Sequence, residues 1–462
     1  MIPSSGSIDT DRMRGPVERG DTRPLRWRLE QLERLQRLLA AAEAPLAEAL
    51  AADLGKPELE AFLELSSVRQ ELEHTRRQLA GWLRPRPLPL PLWVLPGQAW
   101  LQPEPLGCVL IIGPWNYPFH LCLQPLVSAL AAGNTAVLKP SEHAPRTAGL
   151  IAELVAEHLP ADTVRVVLGD GAVAERLLEQ RFDHIFFTGG ARVGRLVMAA
   201  AARHLTPVTL ELGGKSPAIV LEDADLTITA RRLAWAKGLN AGQSCLAPDH
   251  LYLTPAVRQP LLQALALELR RFHGEDPLQS PDLGAIVDDA RFQRLETLLH
   301  APRAEGRILL GGRTDPSRRR IEPTVVAVQE PDHDPLMQEE LFGPVLPVLE
   351  VADLDGALAR IRQAPKPLAI YLFSRGREAG QHLLSGSSSG CVGINELMLH
   401  AALASVPFGG VGESGMGRYH GREGFLTFSH QRSVLQRPFS LDLPFRYPPY
   451  ARGLPWLRRL LP

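Results

Sequence analysis

Cysteine is scarce in this chain: there are four in 462 residues, Cys108, Cys122, Cys245 and Cys391. No two form a C-x-x-C pair, and no Cys/His cluster has the spacing of a zinc site. A disulfide scaffold is therefore not the organising principle, no metal is indicated, and a reducing, cytoplasmic setting is expected. Long apolar runs are missing as well. Nothing approaches the roughly 18 consecutive apolar residues of a membrane-crossing helix. The first 24 residues are polar and charged, without the apolar stretch of a signal peptide, so neither a leader nor a transmembrane anchor is expected. Neither sign of charge is in excess, since 50 basic residues face 51 acidic ones. With no basic tract, the electrostatic footprint of a nucleic-acid binder is absent. Lysine is rare beside arginine, occurring only at Lys56, Lys139, Lys215, Lys237 and Lys366. Where it persists against that bias, a compact, flexible ammonium is a candidate requirement.

The length allows two or three domains and a substantial core. From Leu25 to Gly55 apolar residues recur at spacings of three and four with charges between, which predicts a helix ended by Gly55 and Pro57. A second helix is predicted from about Glu58 to Leu83. The Pro-rich stretch RPRPLPLPLWVLPGQAWLQPEPLG reads as an extended excursion. Short apolar runs then alternate with helical patterns: CVLIIGP, a helix over 121–132, NTAVLKP, the helix TAGLIAELVAEHL, TVRVVLG, a helix through VAERLLEQ, and DHIFFTGG. This is the pattern of a parallel α/β sheet with right-handed crossovers. Past residue 211 it resumes with SPAIVL, a helix near 230–239, LYLT and a long helix over 257–272, which predicts a second α/β domain.

Seven segments carry polar or glycine-rich chemistry where strands meet loops. GPWNYP (113–118) puts Asn116 at a strand end, where an amide can donate to a developing oxyanion or simply organise a turn. LKPSE (138–142) offers Lys139 and Glu142 to the hydroxyls of a ribose; the alternative is a solvated loop with Ser141 capping a helix. FFTGGARVG (186–194) joins a strand to a helix, with Gly189 and Gly194 small enough for backbone N–H groups to approach a pyrophosphate. LELGGKSP (210–217) places Glu211 between two leucines. Burial there would raise its pKa and suit a general base, unless it pairs structurally with Lys215. NAGQSCLAPD (240–249) sets Cys245 in a Gly/Ser/Asn-rich loop, unlike the apolar runs around Cys108 and Cys122, so it is a candidate nucleophile. MQEELFGPVLPV (337–348) offers Glu339 and Glu340 before Phe342. PFGGVGESGMG (407–417) contains five glycines and must turn repeatedly or approach another backbone closely.

Taken together, PWNYP, LKPSE, FTG-x4-G, ELGGK, GQ-x-C and EE-x-FGP resemble the aldehyde dehydrogenase superfamily, in that family's order, from about Leu25 to Arg432. The ending PFGGVGESGMGRYHGREGFLTFSH, then RYPPY, resembles its class 3 branch. The resemblance implies an α/β fold with a Rossmann-type cofactor domain (25–84 and 102–210), an α/β catalytic domain (211–415) and a small bridging and oligomerisation extension (85–101 and 416–440). It leaves 1–24 and 441–462 as flexible or surface-lying tails. It further implies oxidation of medium-chain or aromatic aldehydes to acids. Cys245 would be the nucleophile, passing through a thiohemiacetal and a thioester. Asn116 and the Cys245 backbone N–H would hold the oxyanion, and Glu211 would activate the hydrolytic water. Lys139 and Glu142 would bind the adenine-side ribose and Glu340 the nicotinamide-side ribose. Gly189 to Gly194 would cover the pyrophosphate and Phe342 would support the nicotinamide, with Trp115 and Thr188 also binding the cofactor. NAD is the expected cofactor with NADP tolerated, because Glu142 repels a 2′-phosphate whereas Arg192 would favour one. A homodimer is expected.

Two departures stand out. The class 3 pattern usually has Asn where this chain has Glu413, which bears on how substrate reaches the site. The tip PWLRRLLP is far shorter than the apolar anchor of the fatty-aldehyde members, though it can rest on a membrane surface. Two rivals remain open at the level of sequence. A CoA-acylating reductase of the same fold generally lacks the hydrolytic Glu, which Glu211 speaks against. A non-enzymatic descendant would be expected to lose Cys245, Glu211 or Asn116, and all three are present.

Overall fold

The computed structural model describes residues 9–440, 442, 447–450, 454–455 and 458. Leu25–Ala41 is a helix whose Leu32, Leu35 and Leu39 are fully buried, the apolar stripe visible in the sequence. The single helix expected up to Gly55 is in fact two, because the chain breaks at Ala42 and resumes as Glu43–Leu54. Pro45 accounts for the break: it has no N–H to offer the carbonyl of Ala41. Gly55, at φ 63°, ends the second piece in the left-handed conformation. Glu58–Trp82 follows and buries Ala61, Leu65, Val68, Leu72 and Leu79.

The first sheet has five parallel strands in the order Val208–Glu211, His184–Thr188, Cys108–Ile112, Thr135–Lys139, Val164–Val166. Gly415–Met416 adds an antiparallel edge, with Gly415 opposite Glu211. Cys108–Ile112 and Thr135–Lys139 are buried along their whole length, which is why they read as unbroken apolar runs. The chain enters this sheet at Cys108–Ile112, steps outward to Val164–Val166, then returns to the other side at His184–Thr188. That reversal is a topological switch point. Ligands bind such sheets in the crevice beyond the carboxyl ends of the two strands at the switch. The loops there are 113–118 and 189–190.

The second sheet runs Ile308–Leu310, Thr324–Ala327, Val345–Glu350, His250–Leu253, Pro217–Val220, Ala369–Phe373, Cys391–Ile394, parallel except for its first strand. Residues 212–216 pass directly from the first sheet to the second, so the last residue of one and the first of the other sit at their seam. The Pro-rich excursion is extended, as expected. Arg86–Leu88 and Gln98–Pro105 form an antiparallel sheet with Ser429–Gln436.

One expectation fails. Residues 9–24 are not a loose tail. Thr10–Glu18 is a helix with Met13, Arg14, Pro16 and Val17 buried. The Arg14 guanidinium donates to Asp183 at 2.8 Å, and Thr135 Oγ donates to the Met13 carbonyl at 2.8 Å. Polar contacts join the packing of Met13 against the sheet core in anchoring the segment, and its few apolar residues gave little sign of it in the sequence. The C-terminal tip PWLRRLLP lies largely outside the described residues. Among the described residues no helix is long and apolar enough to cross a membrane.

Candidate active site

After the helix Leu226–Gly238 the backbone turns through Asn240 and Ala241, both left-handed at φ 49°, and Gly242 at φ 70°. Such a run is held only where its surroundings over-determine it. The Asn240 N–H donates to Glu60 at 2.9 Å, and its side-chain amide donates to the carbonyls of Asn116 (2.8 Å) and Gln243 (3.1 Å). The Gln243 amide donates to the carbonyls of Asn240 (3.0 Å) and Ala285 (2.9 Å), while its oxygen accepts from the Val287 N–H (3.0 Å). A Cβ on Gly242 would fall 2.4 Å from the Gly343 carbonyl. The glycine and glutamine of GQ-x-C are thus a fixture that presents Cys245. The half-buried Cys245 thiol is pushed well up by burial, then by the neighbouring Glu340, Glu211 and Cys391, against the pull of its own backbone N–H.

Asn116 reaches this loop from the other sheet. It is buried, and its Nδ2 donates to the Gln243 carbonyl at 3.1 Å. Glu211 ends its strand at the seam, 4% exposed. Among the described residues, neither of its carboxylate oxygens has a hydrogen-bond partner. Burial raises its pKa well above the usual carboxylate range. Lys215, weighed above as its structural partner, goes elsewhere: it pairs with Asp249 and donates to the carbonyls of Leu336 and Glu339, each at 2.9 Å. That leaves Glu211 an unpaired, high-pKa carboxyl beside a thiol.

The remaining expected residues line the switch-point crevice and its opposite wall. Lys139, buried at its strand end, pairs with Glu142 at 2.6 Å. Burial would raise Glu142, but the Lys139 ammonium outweighs it and the carboxyl is lowered. Ser141 is not the helix cap. Pro145–His158 starts later, and Asp53 accepts its free N–H groups from Arg146 (3.1 Å) and Thr147 (2.8 Å). Thr188 closes its strand with a buried hydroxyl that has no partner among the described residues. Gly189 follows it, and Gly190 caps the helix Ala191–Ala202. Gly194 faces inward, where a Cβ would fall 2.8 Å from Leu212, so its smallness brings this helix close to the seam.

Glu340 lies against Gly213, where a Cβ would fall 2.1 Å from its carboxylate. Burial and then Asp249 push it up to about 8, opposed by the Gly214 N–H, Lys215 and Lys237. Phe342, at φ 50°, meets the Trp115 ring edge-on at 5.2 Å, and the Arg291 guanidinium lies 4.8 Å above that indole. An orphaned hydroxyl, two acidic residues and a helix N-terminus at a switch point fit a dinucleotide. Glu413 turns away to the surface, pairing with Arg195 at 3.2 Å.

Sequence reasoning missed three groups. Lys56, Glu60 and Glu64 reach the Asn116 and Asn240 loops from the N-terminal helices. Cys391, whose Sγ lies 2.8 Å from His400 Nε2, is near enough to Glu211 and Cys245 for their charges to be felt. Buried Lys237 acts on Asp249 and Glu340. The rarity of lysine was the one available signal, and it marked positions 56 and 237.

Comparison with known proteins identifies the family. Residues 18–434 match the model described as the aldehyde dehydrogenase family. The chain is 42% identical over 455 residues to rat "Aldehyde dehydrogenase, dimeric NADP-preferring", covering 98% of this chain and 99% of that one. It is 46% identical over 444 residues to human aldehyde dehydrogenase family 3 member B1, covering 95% and 94%. The structure "Substrate bound state of Staphylococcus Aureus AldH" superposes with a TM-score of 0.94 at 39% identity, covering 98% of both chains.

Proposed function

The chain belongs to the aldehyde dehydrogenase family and is an NAD(P)-dependent aldehyde dehydrogenase; we propose that Cys245 is its nucleophile, Asn116 its oxyanion donor and Glu211 the base that activates water. The observation that carries this is that a half-buried thiol feels the charge of an unpaired buried carboxyl, while a buried amide donates to the carbonyl of Gln243 on the loop that bears the thiol.

Cys245 gives its thiol proton to the Glu211 carboxylate, which passes it to solvent, and the thiolate so formed adds to the aldehyde carbon. The carbonyl oxygen becomes an oxyanion, held by the Asn116 amide and the Cys245 N–H. This thiohemiacetal donates hydride far more readily than the free aldehyde. Bound NAD(P)+ supplies the hydride acceptor. Cys245 is then left carrying a thioester. Glu211 takes a proton from water as the water oxygen bonds to the thioester carbon. The C–S bond breaks, the acid leaves and the thiolate is restored. Lys139 and Glu142 would hold the adenine-side ribose and Glu340 the nicotinamide-side ribose. Thr188, Gly189 and Gly194 would lie along the pyrophosphate, with Trp115 and Phe342 at the nicotinamide. On this reading 25–84 with 102–210 bind cofactor, 211–415 hold the chemistry, and 85–101 with 416–440 bridge protomers.

Glu142, held charged by Lys139, disfavours a 2′-phosphate, so NAD is the preferred cofactor and NADP is accepted. The substrates are medium-chain aliphatic or aromatic aldehydes. The enzyme works as a cytoplasmic homodimer. Its free thiols and the word "dimeric" in the rat relative's name support this. Sedimentation equilibrium would return twice the mass of one chain; a monomer would remove the dimer. Turnover of hexanal, decanal, benzaldehyde and a cinnamyl-type aldehyde with both cofactors would define specificity. Cys245→Ala should abolish it, and retention of full activity by that variant would sink the mechanism. Acyl-CoA as the product on addition of CoA would replace hydrolysis by thiol transfer.

A further inference from the structure

We propose that Lys56, braced by Glu64, is a positioning residue that aims the Asn116 amide; this rests on the oxyanion role of Asn116. Lys56 follows the helix-ending Gly55 and its ammonium is fully buried. Its Nζ donates to Glu64 at 2.6 Å and to the Asn116 carbonyl at 2.7 Å, and lies 4.0 Å over the Tyr117 ring. The other Glu64 oxygen accepts the N–H groups of Phe119 (3.2 Å) and His120 (3.1 Å). One ion pair therefore holds both sides of the loop that carries Asn116. The Asn116 carbonyl also accepts from the Asn240 amide at 2.8 Å, so a second donor meets it from the Cys245 loop. Glu60, one turn before Glu64 on the same helix, holds the Asn240 N–H at 2.9 Å.

The consequence is geometric. Two donors on one carbonyl fix the backbone torsion that follows the Asn116 Cα, and with it the direction of the side chain. One N–H of the amide goes to the Gln243 carbonyl. Among the described residues the other has no acceptor, which leaves it free to hold a substrate oxygen. Stability alone does not explain the arrangement, because a buried ion pair is often no better than apolar residues of the same volume. A displacement of about 1 Å in a group that stabilises the transition state can cost about 100-fold in rate.

The test is a double-mutant cycle on the full-length enzyme with saturating NAD+. Lys56→Met keeps the length of the side chain and removes the donor. It should lower kcat/KM for the aldehyde by about 10- to 100-fold, leave KM for NAD+ unchanged, and add almost nothing in an Asn116→Ala background. A full multiplicative loss in that background, or a loss confined to the NAD+ KM, overturns the inference. If Lys56→Met does not fold, Glu64→Gln replaces it in the same cycle under the same criteria. Should Asn116→Ala by itself leave turnover intact, the oxyanion reading fails whatever Lys56 does.

Discussion

Glu211 and Glu340 illustrate how much chemistry burial alone sets. Each is a carboxyl moved from water to the seam between two sheets, and each is raised for that reason first. A raised carboxyl becomes a base only as pH climbs, so hydrolysis of the thioester should quicken with pH. Glu211→Gln should lower kcat by about 100-fold or more, flatten its pH profile and accumulate acyl-enzyme, seen as added mass on the intact protein. No adduct in that variant would place the base elsewhere or make acylation limiting. For Glu340 the shift ends at about 8. Below that the carboxyl is mostly neutral; above it, in the role proposed for it, it would accept from both ribose hydroxyls. KM for NAD+ should therefore fall between about pH 7 and about pH 9, and Glu340→Gln should raise it and remove the slope. As candidates, Cys245 and Asn116 stood out because glycine and polar neighbours interrupt the apolar runs around them, and Glu211 because a carboxylate sits between two leucines. Lys56 and Glu60 were not, because the groups they hold lie 60 and 180 residues away and nothing local marks the contact.

At the scale of elements, strands buried throughout announced themselves as apolar runs, and Cys108–Ile112, Thr135–Lys139 and His184–Thr188 lie inside the stretches expected. Helices with one apolar face did the same. Thr10–Glu18 escaped because its buried apolar residues are few and Arg14 and backbone carbonyls hold it alongside them, and the break at Ala42 turns on a single missing N–H. The glycine-rich 407–417 segment could have been a plain flexible loop. It is instead the edge of the first sheet, and Gly415 shows why the residue is glycine. At φ 140°, a Cβ there would fall 2.1 Å from the Leu210 carbonyl, beside the strand that presents Glu211. Gly415→Ala should cost more than about 1 kcal/mol of stability. It should also lower kcat by about 10-fold or more through displacement of Glu211. Thermal melting and steady-state rates check both. A melting loss with unchanged kcat would show that this edge is structural only.

Across the whole molecule the same carboxyls set activity against stability. Glu60 and Glu71 are raised by burial to about 7 and Glu340 to about 8, and burial raises Glu211 as well. In the fold each binds its proton more tightly than in the unfolded chain, where the ordinary value is 4.5. Their stabilising contribution is complete below that value and is lost as pH rises through the folded pKa. The buried histidines run the other way. His184 and His400 are lowered by burial to about 4 and His420 to about 3, so their contribution is complete above 6.5 and is lost on acidification. Between about pH 6.5 and about pH 8 the histidines are silent and the carboxyls dominate. Lys237, lowered by burial to about 8, opposes them only above that range. The melting temperature of the enzyme without cofactor should therefore fall over the interval in which kcat rises. Glu211→Gln and Glu340→Gln should each flatten the fall, because an amide has no proton to lose. Melting curves at half-unit pH steps would decide it. A melting temperature that stays level across the interval would mean that these carboxyls are already ionised in the fold, and that the seam is wetter than its packing implies.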